Sequence, residues 1–167
     1  MSEKIVGMII PIPSYLLTRI FKEKKNKIIK VATIFKQIKP GSKVLFYSSH
    51  ETHAVVGEGT IETCEIVSAT DLVKNYNKYN GNLFITKKEL KEYLSQRKRS
   101  KFLVISLKKI KQYKEPVKLK RFVPMAGQYL TEKLYQQIIS KQKHRNGLFI
   151  LERIISVINR YQHIYLR

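Results

Sequence analysis

The stretch from Lys39 to Glu62, KPGSKVLFYSSHETHAVVGEGTIE, constrains the fold more than any other part of the chain. Pro40-Gly41 is a turn signal, and Val44 to Ser48 is a short apolar run. A polar tip, Ser49 to His53, separates it from a second run that returns through Ala54 and Val55. Two such runs bounded by turn residues predict a β-hairpin. Gly57 and Gly59 lie two apart in the returning strand, and so on one face. A face without side chains either bends, as closing a small barrel requires, or receives something packed flat against it. We expect the bend.

Charge narrows the partner. The chain has 33 Lys and Arg against 12 Asp and Glu, a formal net charge of +21 over 167 residues. A Lys-rich thermophile surface carries matching Glu, and here the acids are too few. Such an excess favours a polyanionic partner. It is also uneven. Val44 to Val73 holds no Lys or Arg, and has Glu51, Glu58, Glu62, Glu65 and Asp71. Lys87 to Arg121 holds 14 basic residues against three acidic ones. The positive field is therefore lopsided, which suits a face that grips a backbone. A 43% apolar content supports a real core and one domain. The lone Cys64 excludes an intrachain disulfide and fits a reducing cytoplasm. No apolar run approaches a membrane span, and MSEK does not open a signal peptide.

Taken in order, Lys4 to Ile12 reads as a strand, with Pro11 and Pro13 at its exit. Ser14 is a candidate N-cap for a helix from Tyr15 to about Lys22. A basic loop, Lys22 to Lys27, leads to a strand from Lys27 to Ile34, in which Lys30 is the polar interruption. Thr60 to Ser68 extends the hairpin, and Ala69 to Asn75 forms a short helix. Tyr76 and Tyr79 lie in a polar loop, Asn75 to Asn82, either as base-stacking rings or as covers for the barrel end; the cover is favoured. Thr86-Lys87-Lys88-Glu89 fits a capping box and starts a helix to about Ser95. The cluster Gln96 to Lys101 precedes a buried strand, Phe102 to Leu107. Pro116 suits an edge in the Lys-rich segment that follows. Thr131 caps a helix to roughly Lys141, and Leu148 to Arg160 repeats the helical spacing before a final strand.

No P-loop, GxGxxG or GxSxG is present. His50-Glu51-Thr52-His53 puts two imidazoles at a hairpin tip, but it is not HExxH, and a zinc site wants three or four ligands. It reads as a polar turn, with RNA contact as the alternative. Cys64 alternates in a strand and reads as a small buried residue rather than a nucleophile.

The Pro40-Gly41 turn, KVLFYSS and VVGEGTI, with the capped helix, strand Phe102 to Leu107, Pro116-Val117 and Gln128 to Thr131, resemble the PUA-like superfamily in its ASCH/EVE branch. The stretch from about Ile5 to Ile139 resembles an archaeal group of PUA-like proteins. The resemblance implies an α+β fold, a small mixed β pseudo-barrel with flanking helices, expected over residues 1–140; residues 141–167 lie beyond the resemblance and read as a C-terminal helical extension packed on it. The resemblance also implies recognition of RNA or a modified base in a cleft beside the barrel. The family's Gly-x-Lys-x-x-Glu-x-Arg-like motif falls on Lys24 to Thr33, where the lysines are present and no Glu or Arg is assigned. Such a cleft binds phosphate without catalysing. Lys25, Lys27 and Lys30, with Tyr47, Ser48 and Ser49, match its lining segments.

The expectation is an RNA-binding protein without cofactor or metal. Its partner is single-stranded or structured RNA, such as tRNA or rRNA. The candidate contacts are Lys25, Lys27, Lys30, Tyr47, Ser48, Ser49, His50, His53, Arg97, Lys98, Arg99 and Lys101. The cluster around Arg97 is expected on the same side as Lys25 and Lys27. The alternative is an RNA-processing or RNA-modifying enzyme, an ASCH-type ribonuclease; DNA binding is a third possibility.

Overall fold

The computed structural model describes residues 3–32, 37–79, 81–97 and 100–143. Strand β1 (Ile5–Ile12) leads into helix α1 (Ser14–Phe21), then β2 (Lys27–Val31) and the hairpin β3 (Lys43–Ser48) and β4 (Ala54–Ser68). Helix α2 (Ala69–Lys74), a single 3₁₀ turn (Tyr76–Tyr79) and α3 (Lys87–Ser95) precede the long strand β5 (Lys101–Lys118) and the short β6 (Gln128–Thr131). Helix α4 spans 132–143. The strands form one mixed sheet in the order β2-β5-β4-β3-β1-β6. Only the β1–β3 pair is parallel among its ladders. This is the expected α+β pseudo-barrel.

The β4–β5 ribbon bends. Three register shifts interrupt it, at Val55/Gly57, Glu58/Thr60 and Ile61/Thr63. Each offsets one strand against the other and increases twist. Both readings of the glycine pair hold at once. The ribbon bends there, and the Phe21 ring packs onto the bare face: a Cβ on Gly57 would lie 2.6 Å from that ring and 2.6 Å from the Lys111 carbonyl oxygen. Phe21 in turn meets Phe46 edge-on, with centroids 5.6 Å apart.

Bending separates two cores. Inside the barrel, Met8, Ile10, Ile28, Phe46, Ile61, Phe102 and Ile105 pack with α1 and α3. On the outer face, Ile9, Leu45, Tyr47, Val55 and Tyr113 pack beneath Ile138 of α4. The alternation along β1 and β3 follows the strand period of two. Glu58 ties the outer layer by accepting from the hydroxyls of Tyr113 and Tyr135, both at 3.2 Å. Burial, with Glu58 alongside, pushes the Tyr135 phenol up to about 12.

Local expectations held at several ends and failed at one. Thr86 and Glu89 form both halves of the capping box. Thr131 Oγ1 accepts from the Leu134 amide at 3.4 Å, as a cap of α4. Ser68 caps α2. Ser14 is no cap: it is the first helical residue, after Pro13. Its hydroxyl instead sits 3.3 Å from that of Ser48. Pro11 lies in β1, opposite Tyr47 and one residue before its end, within the expected strand Lys4 to Ile12. Pro116 lies in the half of β5 beyond the β2 pairing, an edge as expected. Lys98, Arg99, Thr33, Ile34, the expected helix at Leu148 to Arg160 and the final strand fall outside the described residues.

Candidate functional site

Among the described residues no strand ladder joins β2 to β1. β2 is one edge of the sheet, and β1 lies next to the other. β6 covers β1 only as far as Ile9, so Ile10 to Ile12 keep β3 on one side and face the seam on the other. Proline suits such an edge, because it has no N–H to leave unpaired. The gap between the end of β1 and β2 is a cavity of about 230 Å³. Its walls are apolar: Ile10, Ile12, Ile28 and Phe84 among others. Two tyrosines, Tyr15 and Tyr93, and Met125 complete it.

Among the described residues one cation, Lys30, lines this seam. Lys30 Nζ donates to the Pro11 carbonyl at 3.2 Å and to the Met125 carbonyl at 3.4 Å. It therefore spans from β2 to β1 and to the β5–β6 loop. No ion pair with Lys30 occurs among the described residues. Burial penalises its charge and lowers its pKa from 10.5 to about 8. A half-buried ammonium whose partners among the described residues are neutral carbonyls is costly to the fold.

The one carboxylate among the described lining residues is already engaged. Glu89 takes two bonds from Arg19 Nη1 and Nη2, at 2.6 and 3.1 Å, and one from the Thr86 amide at 2.7 Å. The hydrogen bond from Arg19, with the Thr86 amide, holds its carboxyl down to about 2. Arg19 also donates to the Phe84 carbonyl at 3.1 Å and lies 5.6 Å from the Tyr15 ring centroid. Glu89 therefore fixes α1 against α3 and is not free to move protons in the cavity.

The exposed apolar residues concentrate nearby. Among the described residues the large ones are Tyr15 (58% exposed), Ile66, Phe122 (65%) and Met125 (65%). Tyr15 and Met125 line the cavity, and Phe122 is three residues from Met125.

The expected contacts divide. Lys30 is in the cavity. Lys27 is an odd number of positions away on the same strand, hence on the opposite face; its Nζ donates to Ser106 Oγ at 2.7 Å. Lys25 donates to the Gly81 carbonyl at 2.6 Å. Neither lines the cavity. Tyr47 is buried in the outer core. Ser48 is buried beside Ser14, at the end of the wall. Ser49 donates its amide to the Ile12 carbonyl at 3.3 Å, and its hydroxyl pairs with His50 Nδ1 at 3.0 Å. His50 and His53 are exposed, and His53 has a left-handed backbone (φ +44°) that closes the tip. Arg97 lies over the Tyr93 ring, 4.5 Å from its centroid, and donates to the Tyr93 carbonyl at 3.1 Å. It thus backs the cavity wall. Lys101 is exposed at the start of β5, beyond the far end of β2 from Lys27. Tyr79 is buried and donates to Glu65, and Tyr76 donates to the Ile85 carbonyl, so both cover the barrel end. Tyr15, Tyr93, Phe122 and Met125 were not anticipated. Cys64 is half-buried, with its thiol toward the Ile38 carbonyl. No group of three or more potential metal ligands occurs among the described residues. No helix there is long and apolar enough to cross a membrane.

Comparison with known proteins bears on the fold and on the family. A point mutant of the ASCH protein of Zymomonas mobilis is similar with a TM-score of 0.70 at 15% identity, covering 83% of this chain and 98% of that one. The N-terminal domain of Staphylothermus marinus McrB is similar with a TM-score of 0.50 at 16% identity, covering 83% and 98%. These likenesses concern the fold alone, which is ASCH-like. "Uncharacterized protein MJECS03" of Methanocaldococcus jannaschii is 37% identical over 108 residues, 59% of this chain and 98% of that protein. The family model described as "Domain of unknown function (DUF365)" matches residues 5–132, and the chain belongs to that family.

Proposed function

We propose that the protein binds RNA and lodges one nucleoside, with its phosphate, in the seam between β1 and β2. The observation that carries this reading is Lys30: an ammonium aimed into an aromatic-lined cavity and partnered, among the described residues, by carbonyls alone. The cavity lies below the roughly 300–1,000 Å³ of larger ligand sites, a scale that suits one base rather than a dinucleotide. Tyr15, Tyr93 and Met125 offer faces for stacking, which tolerates any base, and Lys30 offers charge to a phosphate oxygen. The resemblance to ASCH- and PUA-like proteins supports the same class of partner.

Binding without turnover fits better than catalysis. A general acid–base mechanism needs a carboxylate or imidazole free at the reacting atoms. Glu89 is locked by Arg19 and Thr86. His50 and His53 sit at the hairpin tip and do not line the cavity.

Fluorescence anisotropy on single-stranded RNA at rising salt tests the reading, with Lys30→Met as the variant and duplex DNA as competitor. The wild type is expected to bind RNA in a salt-dependent way, and the variant to bind at least about tenfold more weakly, the loss of one charge-assisted contact. Equal binding by both proteins rejects the cavity. Labelled RNA cleaved with or without divalent metal, and spared by His50→Ala or His53→Ala, establishes the enzyme reading instead.

A further inference from the structure

A second concavity lies on the other side of the β5–β6 loop. It has a volume of about 590 Å³, more than twice that of the seam cavity. Among the described residues five cations line it, Lys118, Lys120, Arg121, Lys133 and Lys141, against one carboxylate, Glu3. All five are exposed. They come from three separate pieces of structure: the end of β5, the loop, and α4. On α4, Lys133, Gln137 and Lys141 stand at i, i+4 and i+8 and so form one stripe. That stripe covers about 12 Å of helix.

These charges are not there to balance acids. Among the described residues none of the five makes an ion pair. Glu132, the nearby carboxylate in the first turn of α4, is held by Lys4 at 3.6 Å and by Gln136 at 3.0 Å. Like charges in a concave surface repel one another, and their fields add along it. A chain of phosphates relieves that repulsion at several points at once.

The loop joins this groove to the seam. Lys120 and Arg121 begin it at the groove. Phe122 follows with its ring exposed, Val123 is fully buried as an anchor, and Pro124 to Gly127 closes a turn through a 2.7 Å amide-to-carbonyl bond. Met125 ends at the seam, where its carbonyl receives Lys30. Within six residues the loop therefore offers two cations, an exposed aromatic ring and one wall of the base-sized cavity.

We propose that this loop and groove form a second subsite that grips the phosphodiester backbone of single-stranded RNA next to the nucleotide held in the seam, with Phe122 as a stacking platform between the two. The protein then reads a stretch of several nucleotides rather than a free nucleotide. This rests on the RNA reading of the seam, and the experiment separates the two.

Anisotropy is measured on the full chain with an unstructured 12-nucleotide RNA and with a dinucleotide. The groove variant is Lys120→Gln, Arg121→Gln and Lys133→Gln together; a control carries Lys74→Gln, Lys78→Gln and Lys91→Gln, which are exposed and lie outside both cavities. Circular dichroism checks that each folds. The groove variant is expected to bind the 12-mer about tenfold or more weakly and the dinucleotide unchanged. The slope of log K against log salt is expected to shrink by about 2, at roughly 0.7 per lost phosphate contact. The control is expected to change neither by as much as twofold. Phe122→Ala is expected to weaken the 12-mer alone. Equal losses in the groove and control variants overturn the proposal, as does an affinity that does not depend on RNA length. Duplex DNA that competes as well as the 12-mer overturns the single-strand assignment. If Lys30→Met leaves both ligands untouched while the groove variant loses the 12-mer, the seam reading fails and the groove stands. The reverse pattern removes the groove and keeps the seam.

Discussion

An ammonium held between two carbonyls in an apolar seam lowers the stability of the fold that holds it. The Lys30 pKa falls to about 8 because burial disfavours its charge. The sign follows from proton counting. Below pH 8 both folded and unfolded chains carry this proton, and the full cost is present. Between about 8 and 10.5 the unfolded chain keeps a proton that the folded chain has released, so stability rises with pH. Lys30→Met is therefore expected to stabilise the protein at pH 7 by roughly 1–3 kcal/mol, with the gain gone by about pH 10.5. Melting curves of both proteins across that range measure it. The same pKa governs the ligand. Phosphate affinity in the wild type is expected to fall as pH rises above about 8, and in Lys30→Met to show no such fall. A substitution that stabilises and disables together is the signature of a residue kept for function.

Helices and strands of this chain differ in how far they were readable from the residues alone. The capping box at Thr86 and Glu89 was legible because both partners are three residues apart. The hairpin was legible for the same reason. The seam was not, because its walls lie on β1 and β2, which are not paired neighbours. Nothing in the local pattern of Lys25, Lys27 and Lys30 says which faces the gap; strand parity and sheet order decide it. Tyr47 was placed in the cleft by its position near the hairpin tip, whereas its parity on β3 sends it beneath α4. Two substitutions test these element-scale couplings. Glu89→Ala removes half a capping box and the clamp from α1, and is expected to cost about 2 kcal/mol in denaturant titration. In the wild type the Glu89 contribution is present above pH 4.5 and is lost as pH falls toward 2. Gly57→Ala drives a methyl into the Phe21 ring and into the Lys111 carbonyl, and only the ring can move. It is expected to cost roughly 1–3 kcal/mol by overpacking. A neutral result there means that the ribbon bends without needing a bare face.

At the scale of the molecule, the question is whether +21 acts as a coat or as a track. A coat attracts any polyanion and gives way gradually as salt rises. A track fixes a set number of phosphates, and each releases its counterions. The chain from Val44 to Val73, which has no Lys or Arg, forms β3 after Lys43, the whole of β4 and α2 up to Lys74. Lysine and arginine thus leave the middle of the sheet and collect at its ends and on the β5–β6 side. If the seam and its surroundings neutralise about five phosphates of a single strand, log K is expected to fall against log salt with a slope of roughly −3.5. Titrations over a severalfold range of salt, with RNA lengths from two to twelve nucleotides, separate the two pictures. A track gives a slope that grows with length and then stops, because the bound phosphates are limited by the protein. A coat gives a slope that continues to grow, since every added phosphate finds another loose cation. The plateau length then measures how many nucleotides the basic surface holds, and a slope near zero at every length removes RNA from the argument altogether.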